Sequence, residues 1–305
     1  MRQVTRGYRI RAYPNGAQRR LLDRWFGATR WLWNTALGIR SEGYRHFGLR
    51  LSGSDISKWL TGWKKTPGHE WLAEIPATCL TQCLRDQDRA FANFCAKRSR
   101  YPRFKPKSAG GALRFQDIGA DWVRGDLRLP KLGRLKLAEA LPDVAKPDTV
   151  TLTRDAAGRY FVSFTAEVTF ETLPVTDRIV GLDLGLKHLA TLSTGEKVAA
   201  PRHYANRLRY LRRQQRSLAR RQKGSNRRNR QRVKVARAHA RVADARTTGL
   251  HELTTRLVRE FDTICIEDLN VKALGRGLHS RSIHDAAFGE FRRQLRYKTQ
   301  WYGRK

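Results

Sequence analysis

The stretch Arg178-Ile-Val-Gly-Leu-Asp-Leu-Gly-Leu-Lys187 constrains this chain more than any other. It reads as a buried strand of Ile179, Val180, Leu182 and Leu184 with a single carboxylate, Asp183, at its end. Gly181 and Gly185 remove side chains on either side of that acid, which lets another group approach the backbone. A second apolar run, Phe261-Asp-Thr-Ile-Cys-Ile-Glu-Asp-Leu-Asn270, also ends in acids. Two adjacent strands, each delivering a carboxylate near its C-terminal end, are the raw material of a divalent-metal site. Hard cations such as Mg²⁺ take few protein ligands, mostly carboxylate oxygens, and keep positions open for phosphate. Two such ions about 3.5–4 Å apart stabilise the attacking and leaving oxygens of a phosphodiester.

A lone Asp at a strand end is commonly a turn former or helix cap. The residues that follow argue for more. His188-Leu-Ala-Thr-Leu192, a turn at Ser193-Thr-Gly-Glu196 and Lys197-Val-Ala-Ala200 make a meander that opens an α/β domain. Periodicity does not choose the second acid. Glu267 and Asp268 are neighbours and point to opposite faces of a strand. Glu267 alternates with Cys265 and Thr263, whereas Asp268 alternates with Ile266, Ile264 and Asp262.

With 305 residues, 40% of them apolar, the chain can build two or three domains with real cores. Its 62 Lys and Arg against 27 Asp and Glu leave a formal charge of +35. Such an excess repels itself unless a polyanion is the partner, and nucleic acid is the default. Binding should then weaken steeply with salt through counterion release. No lipidation motif, signal peptide or apolar run of ~18 residues argues for a membrane. The expectation is a soluble, cytoplasmic, nucleoid-associated protein. Cys79, Cys83, Cys95 and Cys265 form no C-x-x-C pair. Cys79 and Cys83 share a helical stripe with Leu80, Leu84, Phe91 and Phe94 and read as small buried hydrophobes, so zinc is not expected.

Taken in order, Gly7-Tyr-Arg-Ile-Arg-Ala-Tyr13 alternates as a strand and stops at Pro14-Asn-Gly16. Helices are predicted from about Ala17 to Arg40, from near Ser54 through Trp63, and from Pro76 to Lys97. Most of their tryptophans fall on apolar stripes, which assigns them to a core rather than to base stacking. The connector 98–111 interleaves Tyr101 and Phe104 with Arg103, Lys105 and Lys107, a pattern that suits phosphates and splayed bases as well as a solvated linker. From 112 to 170 the period becomes two, with turns at Gly125-Asp126 and Asp155-Ala-Ala-Gly158, which predicts a small barrel or sandwich. The first strand joins it, and the helical unit 15–100 is then an insertion.

The most basic segment lies between the meander and the second acid. It carries Arg212, Arg213, Arg216, Arg220, Arg221, Lys223, Arg227, Arg228 and Arg230, with Asp244 the only acid between Glu196 and Glu252. Leu208, Leu211, Leu218, Val233, Val235 and Val242 suggest two helices joined at Gly224-Ser225. Without phosphates these arginines would repel along each helix. The segment reads as a hairpin that contacts nucleic-acid backbone and carries no sequence selectivity of its own.

Several motifs now resemble one family. Gly181-Leu-Asp-Leu-Gly-Leu-Lys187, Arg221-Gln-Lys-Gly-Ser225, Ile266-Glu-Asp-Leu-Asn-Val-Lys272 and Phe291-Arg-Arg-Gln-Leu-Arg-Tyr-Lys298 are similar to TnpB, the transposon-encoded RNA-guided nucleases related to type V CRISPR effectors. Phe26-Gly-Ala-Thr-Arg-Trp-Leu-Trp-Asn34, Pro102-Arg-Phe-Lys105 and Leu129-Pro-Lys-Leu-Gly133 extend the resemblance over nearly the whole chain. It implies an α+β multidomain fold: a wedge-type β-barrel (1–14 and 101–175) interrupted by a helical recognition unit (15–100), then an RNase H-like (RuvC) α/β domain (176–305) with its basic hairpin at 203–246. It also implies a guide RNA, a double-stranded DNA target read by base pairing, Mg²⁺ or Mn²⁺, and catalytic, metal-holding acids at Asp183 and Glu267.

Members of the family continue past the stretch matching Tyr297-Lys-Thr-Gln-Trp-Tyr-Gly303 with a further strand, a four-cysteine zinc ribbon and a third catalytic Asp. The sequence in hand runs to Lys305, so the expectation is a truncated RuvC-like domain lacking its last strand and zinc ribbon. Asp285 and Glu290 stand as substitutes for the third acid, outside the matching motif. Weak metal occupancy and an unpaired, adhesive edge on the 264–267 strand would follow. Three functions are compatible with this: a metal-dependent RNA-guided endonuclease, a guided binder or repressor without cleavage, and a non-functional remnant.

Overall fold

The computed structural model describes residues 2–305 apart from 108–109, 117–121, 124–125, 146 and 278. Gly125 of the turn expected at Gly125-Asp126, and Ser108 and Ala109 of the connector, lie outside the described residues. The chain divides into two compact units, Thr5–Glu167 and Met1–Val4 with Val168–Lys305.

A strand, β1 (Arg2–Ala12), most of it in the first of these units, leads into helix α1 (Gly16–Phe47). Asn15 caps that helix reciprocally. Its side-chain oxygen accepts from the Gln18 N–H at 2.9 Å, and the Gln18 side chain accepts from the Asn15 N–H at 3.0 Å. The helix runs past the predicted end at Arg40 because nothing from Ser41 to Phe47 breaks it. Gly48, at φ 64°, takes the left-handed position that closes the last turn. Helices α2 (Gly53–Trp63) and α3 (Ala77–Cys95) follow. Then come β2 (Gly111–Gln116), β3 (Trp122–Val123), β4 (Asp126–Leu129), β5 (Gly133–Lys136), β6 (Thr149–Arg154) and β7 (Tyr160–Phe170).

These strands form a sheet of order β1-β7-β6-β2 and another of order β3-β4-β5, joined by one bridge between Ala12 and Leu137. Strand β1 thus joins the later strands as expected, but among the described residues no closed barrel forms. The helices do not have a core of their own. Trp25, Leu32 and Leu80 from the helices share one apolar cluster with Leu113, Phe115, Val150 and Val162 from the sheet. Burying each such side chain is worth about 1.5–3 kcal/mol. Cys79 and Cys83 belong to that core, and burial pushes their thiols up to about 12 and about 11. Trp25 and Trp33 are buried there as their spacing predicts, while Trp59 is exposed.

In the second unit β8 (Ile179–Asp183), β9 (His188–Leu192) and β10 (Lys197–Ala199) form the expected antiparallel meander. Helices α4 (His203–Ala219) and α5 (Asn226–Glu260) form the crossover that returns β11 (Thr263–Ile266) parallel to β8. The short helices α6 (Val271–Leu274) and α7 (Ser280–Ala286) lead to α8 (Phe288–Tyr302). The sheet order is β10-β9-β8-β11. Val180 and Leu182 on its buried face share a core with Leu250 and Leu257 of α5 and Phe288, Phe291 and Leu295 of α8. The whole is a mixed α/β chain, and among its described residues no helix is long and apolar enough to cross a membrane.

Two expectations need correcting here. A Cβ on Gly185 would stand 3.0 Å from the His188 carbonyl oxygen, so the close approach this glycine permits is the chain's own turn into β9. The outer edge of β11 is covered at its start. The Lys305 N–H donates to the Asp262 carbonyl, and the Ile264 N–H donates to the Lys305 carbonyl, both at 2.9 Å. Asp262 fixes the start of β11. Desolvation alone would raise its carboxyl, but N–H groups of Thr176 and Asp177 at 2.8 and 2.7 Å, the Thr176 hydroxyl and the Arg304 guanidinium hold it below the usual carboxylate range.

Candidate functional site

The parallel register of β8 and β11 carries the acids together. Cys265 pairs with Gly181 and Ile266 with Leu182, which makes Glu267 the next partner of Asp183. Paired residues of parallel strands point to the same face. Val180 and Leu182 face the core, so Gly181 and Asp183 face outward, and Cys265 and Glu267 share that exposed side. Asp183 and Glu267 accordingly line one shallow concavity of about 550 Å³ with Gly181, Thr191, Ser193 and Cys265. The loop beside it is clamped in both directions. The Gly181 N–H donates to the Ser193 hydroxyl at 3.0 Å and the Ser193 N–H to the Gly181 carbonyl at 2.9 Å. A Cβ on Gly181 would meet only Ser193, at 3.7 Å, so packing does not demand this glycine and its bareness flattens the floor.

Other acids are engaged elsewhere. Asp268 points away from the Asp183 face and pairs with Arg292 at 2.7 Å, while the same guanidinium donates to the Leu269 carbonyl. Asp285 is almost buried. It accepts from the Tyr204 and Ala205 N–H groups at the start of α4 and from Arg246 at 3.0 Å. Glu290 takes a bidentate pair of bonds from Arg293 and one from Gln294, and these hold its carboxyl below the usual range. Neither Asp285 nor Glu290 lines the concavity, so neither stands in for a third acid there. Among the described residues no group of three His, Cys, Asp or Glu side chains could hold a metal. The two exposed carboxylates and the hydroxyls of Thr191 and Ser193 are hard oxygen donors, a set that fits Mg²⁺ or Mn²⁺.

The basic hairpin is built on a small core. Leu211 of α4 packs with Ala238 and Val242 of α5. The buried Gln231 amide donates to the Gln214 carbonyl and side-chain oxygens at 3.2 and 2.8 Å. Opposite Leu211, the residues Arg209, Arg212, Arg213, Arg216 and Arg220 recur at i, i+3, i+4, i+7 and i+11 and line one open face of α4 with Arg221. Arg227 and Arg230 on α5 and Lys223 in the turn are exposed too. Arg228 does a different job. It donates to the Leu218 and Arg221 carbonyls at 2.8 and 2.9 Å and closes the end of α4, which sequence spacing cannot show.

The connector is strapped to α1. The Trp33 indole donates to the Arg103 carbonyl at 3.0 Å, and Asn34 exchanges two hydrogen bonds with the Lys105 backbone. The Lys105 ammonium sits 3.5 Å from the centre of the Trp33 ring, and burial lowers its pKa. Arg103, Phe104 and Lys107 are exposed. Periodicity also missed Lys298. Its ammonium, buried on α8, donates to the His251 carbonyl and the Thr254 and Thr255 hydroxyls at 2.7–2.8 Å, and burial pushes it down to about 8. The signal was the Gln294/Lys298 spacing, one turn apart on the helix and turned inward with Phe291 and Leu295.

With this geometry in place, similarity to known proteins becomes informative. Residues 162–276, the span that includes both acids' strands up to Arg276, match the family described as "Probable transposase". Residues 1–48 match one described as "Helix-turn-helix domain", although here they form a strand and a single long helix. A Streptomyces pristinaespiralis protein named "Putative RNA-guided DNA endonuclease" is 43% identical over 310 residues, covering 100% of this chain and 77% of that protein. The Escherichia coli K12 protein named "Putative RNA-guided DNA endonuclease InsQ" is 32% identical, covering 97% of this chain and 78% of its own length. A solved Cas12f1–sgRNA–target DNA complex aligns over 99% of this chain and 84% of its own at 11% identity, with a TM-score of 0.33. The class is therefore transposase-type, on a mixed α/β scaffold. The chain belongs to the TnpB family of transposon-encoded RNA-guided DNA endonucleases.

Proposed function

We propose that this chain is an RNA-guided DNA-binding protein in which Asp183 and Glu267 form the divalent-metal site of a phosphodiester-hydrolysing centre. The observation that carries the reading is the β8–β11 register, which puts both carboxylates on one exposed face beside one concavity. Mg²⁺ or Mn²⁺, when bound, supplies charge neutralisation at phosphate and a more acidic water. Asp183 and Glu267 would hold and orient it, and the Thr191 and Ser193 hydroxyls are placed to hold water or a phosphate oxygen at the rim. The α4 arginines neutralise backbone phosphates without reading sequence, so selectivity falls to pairing between guide RNA and target strand. We infer the corresponding division: a wedge-type unit of two open sheets from 1–14 and 101–175, a recognition unit at 15–100, and a RuvC-like domain from 176 to 305.

A second reading is a guided binder that cuts weakly. Two carboxylates fill few of the six positions around Mg²⁺, and among the described residues no third acid joins them. One experiment separates the two. The chain is combined with a guide RNA transcribed across the end of its encoding transposon and a matched DNA duplex, with and without Mg²⁺. The proposed centre predicts divalent-dependent cleavage that Asp183→Ala lowers by at least about 10²-fold, the order of effect of removing one preorganised charge-stabilising group, while RNA binding persists. Guided binding with no cleavage supports the second reading. Loss of both binding and cleavage in the wild type refutes the two together.

A further inference from the structure

The predicted role of tryptophan in the core leaves another set of aromatics unexplained. At the C-terminal ends of α1 and α3, large apolar side chains stand partly in solvent. Tyr44 is 59% exposed, Leu49 51%, Tyr101 43% and Phe94 40%. They line a groove of about 380 Å³ together with Phe91 and Arg50. One wall of the groove is interlocked. Tyr101 packs edge-on against Phe91 and Phe94 with ring centres 5.6 and 5.2 Å apart, and its hydroxyl shares a hydrogen bond with Ser41 at 2.8 Å. Arg40 lies beneath Phe91, fixed by Asp88 at 2.7 Å. Asp88 in turn accepts from the Gly53 N–H at 2.9 Å, where any side chain would collide with its carboxylate.

The surroundings of the groove are cationic. Arg50 lines it, Arg45 follows Tyr44 in the chain, and Lys97, Arg98 and Arg100 lie between Phe94 and Tyr101; all five are exposed. Ring faces accompanied by exposed cations match an unpaired nucleotide strand, with bases on the rings and phosphates on the basic side chains. An apolar helix from a protein partner would leave those five charges unmatched. The Ser41–Tyr101 hydroxyl pair beside the rings adds partners for a ribose 2′-hydroxyl, which favours RNA over DNA.

We propose that this groove is a base-stacking site for unpaired RNA. The proposal rests on the guided-binding reading above and adds a site to it, away from the carboxylates and the arginine hairpin. The test uses the full chain and a single-stranded RNA 12-mer carrying 2-aminopurine, titrated at several salt concentrations, beside the DNA 12-mer of the same sequence. Tyr44 is the residue to change, since it is largely exposed and Tyr44→Leu keeps an apolar floor. Tyr44→Leu should weaken RNA binding by roughly 5- to 150-fold, the range for losing one stacked base. The salt slope should stay unchanged and quenching of 2-aminopurine should be lost, while Tyr44→Phe restores both. Arg50→Gln should instead flatten the slope. Unchanged affinity and quenching in Tyr44→Leu would overturn the site while leaving guided binding intact. An equal loss with DNA would overturn the RNA assignment, and a dimer in sedimentation that Tyr44→Leu dissolves would identify the groove as a protein interface instead. Absence of RNA binding in the wild type would remove this proposal and the guided-binding reading together.

Discussion

The sheet end that carries Asp183 and Glu267 and the hairpin that carries the arginines place charge in opposite ways. On the sheet, two carboxylates are positioned by main-chain pairing, and a slip of one residue in β11 would exchange Glu267 for Asp268. On α4 the charge is a repeated stripe spread over about three turns of the helix. The first arrangement suits an ion with fixed coordination, and the second suits a polyanion that can approach in many registers. Substitutions should therefore behave as all-or-none at the sheet and as graded along the hairpin.

The largest graded effect should come from changing Arg212, Arg213 and Arg216 to Gln together. Each arginine withdrawn from a phosphate should reduce the slope of log affinity against log salt by about 0.7–0.9, so the triple variant should flatten it by about 2–2.7. Fluorescence anisotropy with RNA between 50 and 200 mM salt (roughly the range over which counterion release shows) reads this directly. Arg228→Gln should behave differently. It frees the Leu218 and Arg221 carbonyls and should loosen the turn of the hairpin more than it changes the slope.

These contrasts also mark what sequence alone could say. The strand at 179–183 and the joint at Gly224-Ser225 were legible because apolar spacing and turn residues are local signals. The choice between Glu267 and Asp268 was not, because alternation fixes which residues share a face and leaves open which face meets β8. Only the pairing of Cys265 with Gly181 supplies that. Lys105, Asp285 and Arg228 looked like free charges for the same reason: their partners Trp33, Tyr204 and Leu218 lie elsewhere in the chain. The extra turns of α1 were missed because the stop signal is the left-handed Gly48, eight residues past Arg40.

A smaller effect sharpens the picture of the scaffold under the acids. Lys298 joins α8 to α5 through His251, Thr254 and Thr255, and burial holds its ammonium near a pKa of about 8. A lysine whose folded pKa lies below its unfolded value of about 10.4 weakens the fold while it stays protonated. That cost fades as pH rises from about 8 towards 10.4. Thermal unfolding of the wild type, compared with Lys298→Met, should show the wild type gaining relative stability across this window. A flat difference would mean the ammonium is solvated.

The most direct test of the central claim is a Mn²⁺ titration of the full chain, read by the electron paramagnetic resonance signal of the free ion. Asp183→Asn and Glu267→Gln should each abolish the site. Asp268→Asn breaks only an exposed pair with Arg292, worth at most about 1 kcal/mol, and should leave Mn²⁺ binding unchanged. Loss of the site in Asp268→Asn, with Glu267→Gln binding normally, would contradict the β8–β11 register as the origin of the metal site.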